Sequence, residues 1–182
     1  MINQIFYLTG YNGSIKNGLG KKLNDEYTLT AIEINDEFLN QNFNDQLSQI
    51  KSLLQSFYLS GGRVVIANSM GAYLILHAII GLSIRDFNIL LLSPVLGKLA
   101  LKERPSFPPE TDRLKEAIKK QKLNYRKLKI VGGSDDDIID FEVLHLINKF
   151  LNSSEISIIN NQGHQLDHVI VSAEVNKIVN SV

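Results

Sequence analysis

Val64-Val65-Ile66-Ala67-Asn68-Ser69-Met70-Gly71-Ala72 decides the reading of this chain. Val64 to Ala67, entered from Arg63, is a short apolar run rich in β-branched residues. Such a run, bounded by turn signals, predicts a strand buried on both faces. Asn68 to Gly71 forms the turn. From Ala72 to Leu82 nearly every residue is apolar, which predicts a central helix buried on most sides. A strand, a tight polar turn and a buried helix therefore follow one another within about 20 residues.

Working outward, the same alternation repeats. Ile5 to Leu8 is a second buried strand, running into the glycine-rich loop Thr9-Gly10-Tyr11-Asn12-Gly13-Ser14. Lys16 to Leu23 suits a short helix, and Tyr27 to Ile34 a strand rich in Thr and Ile. Phe43, Leu47, Ile50, Leu54 and Phe57 recur at three- and four-residue steps, predicting an amphipathic helix over 41–59 that ends at Gly61-Gly62. Strands are predicted at Phe87–Leu92, Leu128–Val131 and Ile156–Ile159, with helices at about 139–151 and 165–180. Alternating strands and helices imply an α/β three-layer sandwich: a mostly parallel sheet of about six strands, covered on both faces. The loops after its strands share one edge, where such sheets bind ligands.

The sequence has 182 residues, suited to one domain. Residues 97–127 break the rhythm with Pro105, Pro108 and Pro109, and read as a small insertion near the active edge. Lys+Arg and Asp+Glu number 19 each, so no global field draws in nucleic acid or an anionic membrane. Arg113 to Lys129 is locally basic, which fits a solvated helix face or an attraction for anions. With 0 Cys, a cysteine nucleophile and thiolate zinc sites are excluded, and a reducing compartment fits. The first residues lack the basic and small-residue features of a signal peptide, and no apolar run is long enough to span a bilayer. A cytoplasmic protein with a small-molecule partner is expected. Oligomeric state is not encoded in any of these features.

Four motifs at strand ends carry the chemistry. Ala67-Asn68-Ser69-Met70-Gly71 resembles the Gly-x-Ser-x-Gly nucleophile elbow of α/β-hydrolases, with Ala67 in place of the first glycine. The competing reading of Ser69 is a helix N-cap. Leu8-Thr9-Gly10-Tyr11 resembles that superfamily's oxyanion loop, with Thr9 where many members have His. Gly132-Gly133-Ser134-Asp135-Asp136-Asp137-Ile138-Ile139 resembles the Gly-x-x-Asp-x-x-Val loop. Counting from Gly133 selects Asp136, and counting from Gly132 selects Asp135; Asp136 is favoured. Gly163-His164 follows the last strand, where the superfamily carries its base. His77, His145 and His168 are the other histidines. The order Ser, Asp, His is the α/β-hydrolase order.

Within that superfamily, Leu8-Thr9-Gly10-Tyr11-Asn12-Gly13-Ser14 resembles the first loop of compact bacterial esterases without a large cap domain. The resemblance implies a serine hydrolase, a carboxylesterase or thioesterase acting on a small acyl substrate. It implies Ser69 as nucleophile, His164 as base, Asp136 as its partner, and the backbone N–H groups of Tyr11 and Met70 as oxyanion hole. Neither a cofactor nor a metal is implied.

The same residues bear on other chemistries. A phosphate-binding P-loop fails at Ile15 and Lys22, which stand where Gly and Ser or Thr are needed. Asp135-Asp136-Asp137 lacks the alternating spacing of a calcium loop. His164-Gln165-Leu166-Asp167-His168 is close to the inverted zinc motif His-x-x-Glu-His, so a zinc hydrolase using His164 and His168 is an alternative. A catalytically silent scaffold acting as a binding module is another.

Overall fold

The computed structural model describes residues 4–97 and 110–181. Six strands form one sheet: β1 (Gln4–Tyr11), β2 (Thr28–Ile34), β3 (Val64–Asn68), β4 (Asn88–Leu92), β5 (Lys127–Gly133) and β6 (Ser154–Ile159). Every neighbouring pair is parallel, in the order β2-β1-β3-β4-β5-β6. The helices are α1 (Gly18–Glu26), α2 (Asp36–Leu39), α3 (Phe43–Leu59), α4 (Met70–Ala78), α5 (Thr111–Lys119), α6 (Phe141–Phe150) and α7 (His168–Val179). None among the described residues is long and apolar enough to cross a membrane.

The two-residue period of the strands divides the core between the faces of the sheet. Phe6, Leu8, Val65 and Ala67 point into a layer built with α3, α4, α5 and α6. Ile5, Tyr7, Val64 and Ile66 point the other way, onto Leu23 of α1 and Val175 and Ile178 of α7. This is why the central strands are apolar throughout instead of alternating. From β1 the chain winds outward to β2 and then returns to β3 on the other side. The strand order therefore reverses between β1 and β3, and a crevice opens beyond their carboxyl ends.

Two helix ends and one extra helix differ most from expectation. The central helix ends at Ala78, four residues before Leu82, because Ile80 bridges to Leu123 and Gly81 turns with a φ of 65°. The final helix begins at His168, because the Asp167 carboxylate accepts from Val169 N and caps it there. The short α2 was not expected; Asn35 caps it by accepting from Phe38 N. Residues 98–109, with the three prolines of the expected insertion, lie outside the described residues. The described part of that segment contains α5, whose Leu114, Ala117 and Ile118 enter the core layer shared with α3 and α4. In chain order α5 lies between β4 and β5.

Candidate active site

Ser69 sits between β3 and α4 with φ 50° and ψ −115°, a region that residues with a Cβ rarely occupy. The surrounding backbone holds it there. Ser69 N donates to Leu92 O at 3.0 Å, and Ser69 O accepts from Val95 N and Ala72 N, each at 3.1 Å. The turn lets α4 cross β1 closely. A Cβ at Gly71 would collide with the Thr9 carbonyl oxygen and lie 2.8 Å from Leu8 Cβ. Ala67, in the place of the elbow's first glycine, is fully buried within β3. The Ser69 hydroxyl makes no capping bond to α4, so the N-cap reading fails.

That hydroxyl instead meets His164. Ser69 Oγ lies 2.9 Å from His164 Nε2, and His164 Nδ1 lies 3.1 and 3.0 Å from the two carboxylate oxygens of Asp136. With the serine hydroxyl donating to Nε2, the ring proton resides on Nδ1 and points at the carboxylate. The Asp136 side chain is fully buried, and its Oδ1 also accepts from Ile138 N at 2.9 Å. Asp135 faces solvent and accepts from Ser134 Oγ at 2.7 Å. Burial thus separates the two carboxylates that spacing left open.

The loops carrying Asp136 and His164 are joined to each other. Asp135 N donates to Gln162 O at 2.9 Å, and Asn161 N donates to Ser134 Oγ at 3.0 Å. At Gly133 there is no space for a side chain, because a Cβ would overlap the Gln162 carbonyl.

Tyr11 and Met70 border the same cavity as Ser69, of about 590 Å³. Met70 opens α4, where first-turn N–H groups lack intrahelical acceptors. Its N–H has no acceptor among the described residues. The Tyr11 phenol is half exposed and donates to Asp36 Oδ1 at 2.6 Å, which raises its pKa. Thr9 is buried, and its hydroxyl accepts from Ile34 N at 2.8 Å, tying β1 to β2 where their register shifts. A second cavity, of about 450 Å³, opens between α1 and α7. Asn68, His164 and Gln165 border both cavities.

The competing constellations do not assemble. His164 lies in the loop before α7 and His168 at its first position, so they never share a helical face. The His168 side chain is 92% exposed, and no group of three or more potential metal-binding side chains occurs among the described residues. Asp135 and Asp137 face solvent while Asp136 is buried, so the three do not converge on a cation. The basic stretch is largely matched: Arg113, Lys115, Lys120 and Lys129 pair with Glu110, Glu142, Glu116 and Glu155. His145 is exposed on α6. His77 is fully buried in α4, against the rings of Phe43 and Tyr73. Sequence reasoning had singled out neither Asn68 nor Asp36 as a lining residue. Asn68 was merely the variable position of the elbow, and nothing local marks Asp36.

No sequence profile of a known family matches the chain, and no curated protein matches it. Solved structures do. The monoacylglycerol lipase of Paleococcus ferrophilus superposes with a TM-score of 0.73 at 11% identity, over 98% of this chain and 95% of that one. A hydrolase of the α/β superfamily from Xanthomonas campestris pv. campestris gives 0.68 at 14% identity, over 99% of both chains. This chain has the α/β-hydrolase fold. SOBER1 of Arabidopsis thaliana shares it over 99% of both chains, with a TM-score of 0.62 at 12% identity. In the α/β-hydrolase frame of this chain, Ser69 follows the third strand, Asp136 the fifth and His164 the sixth.

Proposed function

We propose that this protein is a serine hydrolase that cleaves small carboxylic esters or thioesters through an acyl-enzyme. The observation that carries the reading is the continuous contact Ser69 Oγ–His164 Nε2–His164 Nδ1–Asp136, beginning at a residue whose backbone is strained and whose hydroxyl has no capping duty. His164 takes the Ser69 proton as Oγ attacks the acyl carbonyl carbon. Asp136 fixes the ring tautomer and stabilises the imidazolium that forms. The Tyr11 and Met70 N–H groups face the charge developing on the carbonyl oxygen; loss of one such donor costs on the order of 3 kcal/mol in the transition state. His164 then protonates the leaving group, and water, activated by the same base, releases the acid. The reaction as written needs no cofactor, and the absence of cysteine suits a reducing compartment such as the cytoplasm.

A fluorophosphonate probe is expected to label Ser69, and Ser69→Ala to abolish labelling. Turnover of p-nitrophenyl acetate should fall at least about 10³-fold in the same variant. Labelling of Ser69→Ala at the wild-type level would overturn the nucleophile assignment. A folded protein that neither reacts with the probe nor turns over the ester would be a binding scaffold on this fold.

A further inference from the structure

The second cavity stands at the proton-donor end of the site. Ser69, Met70 and Tyr11, which would hold the acyl carbonyl, line the first cavity and not the second. His164 borders both. In an acyl transfer the departing atom takes its proton from the base, so the leaving group must lie beside His164. A chain extending from that atom, away from the acyl pocket, enters the space between α1 and α7.

The two cavities also differ in charge. The first has the Asp36 carboxylate in its wall, and Tyr11 donates to it. Among the described residues the second has no carboxylate in its wall; Leu19, Leu92, Leu166 and Val171 make it apolar, and Lys22 is the one permanently charged residue lining it. Lys22 Nζ donates to Ser172 Oγ at 2.7 Å, across from α1 to α7. Glu26 stands 4.0 Å away, beyond hydrogen-bond reach. An ammonium has three donors. Ser172 takes one and is neutral, and the partly exposed Glu26 is an ion-pair partner without a hydrogen bond, so among the described residues the ammonium keeps donors free at the cavity wall.

We propose that the cavity between α1 and α7 receives the leaving group, and that Lys22 selects leaving groups ending in a carboxylate or a phosphate. This rests on the serine hydrolase reading above. Ser69 Oγ bonds to the acyl carbon as its proton passes to His164. The bond from that carbon to the leaving oxygen or sulfur then breaks, its electron pair staying with the departing atom, which takes the proton from Nε2. The freed alcohol or thiol carries its own anion out past Lys22.

Three acetyl esters test this: 4-acetoxybenzoate, 4-acetoxyphenyl phosphate and the uncharged 4-acetoxybenzamide. The ratio of kcat/KM for an anionic ester to that for the amide should fall about tenfold in Lys22→Met, through KM, and recover in Lys22→Arg. The anionic ester that loses more names the anion. An unchanged ratio for both, or an equal loss for all three esters, would overturn the proposal. Binding of 4-hydroxybenzoate, followed by nuclear magnetic resonance in Ser69→Ala, gives a readout without turnover. Weaker binding in Ser69→Ala/Lys22→Met supports the subsite, and equal binding overturns it. Failure of the wild type to hydrolyse any of the three esters or to label at Ser69 would instead overturn the hydrolase reading itself.

Discussion

His164 and His77 are the two least exposed histidines among the described residues, and their surroundings are opposite. His164 stands in a loop at the carboxyl edge of the sheet, 30% exposed, with an oxygen partner on each ring nitrogen. His77 lies inside α4, with no partner on either nitrogen among the described residues. Its ring meets Phe43 edge-on at 5.1 Å and Tyr73 at 4.6 Å. Burial holds its pKa down at about 4, from an ordinary 6.5; Arg113 pushes the same way and Glu110 opposes. An imidazole can carry a proton where a carboxylate waits for the cation, and is kept neutral where it is buried against aromatic rings with no hydrogen-bond acceptor. The polar environment at the sheet edge, and not depth in the fold, makes the first histidine a candidate base.

The largest effect should come from breaking the Asp136 contact. Asp136→Asn removes the negative charge facing Nδ1, and kcat for an activated ester is expected to fall about 10³- to 10⁴-fold. Asp135→Asn, in the solvent-facing neighbour, should stay within about twofold of wild type. Comparable losses in both would mean that Asp136 does not hold the base.

The next effect belongs to His77. Its folded pKa is depressed, so between about 4 and 6.5 the unfolded chain binds the extra proton. Stability should fall as the pH drops through that window and level off below it, by about 3 kcal/mol in total from this group. Urea unfolding of His77→Phe at pH 7, 5.5 and 4 should show that part of the slope gone. A slope equal to wild type would mean that His77 is protonated in the fold. His145→Ala, on the exposed face of α6, should change stability by less than about 0.5 kcal/mol and leave ester turnover alone.

Much of this molecule could be read along the chain, for identifiable reasons. Strand ends, glycine turns and the residue types of the elbow are local, so Ser69, Asp136 and His164 could be nominated before the chain was folded. The strand pattern was legible because buried parallel strands are apolar runs. Spacing favours Asp136 but leaves Asp135 open, since Gly132 and Gly133 are adjacent, and burial is what tells the carboxylates apart. The end of α4 is not legible locally, because a bridge to Leu123, over 40 residues on, draws Ile80 away. The four residues of α2 are too few to show a period. Lys22 and Ser172, 150 positions apart, have no common signature until α1 and α7 lie side by side.

The seam between the loops of Asp136 and His164 sets how this site can move. Gly133 is pressed against Gln162, and Ser134 bonds the backbone of Asn161, so the carboxylate and the imidazole ride on one stiff block. Ser69 belongs to another, anchored to Leu92 and Val95. Among the described residues, the one side-chain bond of the relay that joins the two is Oγ to Nε2. A shift of one loop group against the other would lengthen that contact, where proton transfer begins, before it altered the pairing of Nδ1 with Asp136.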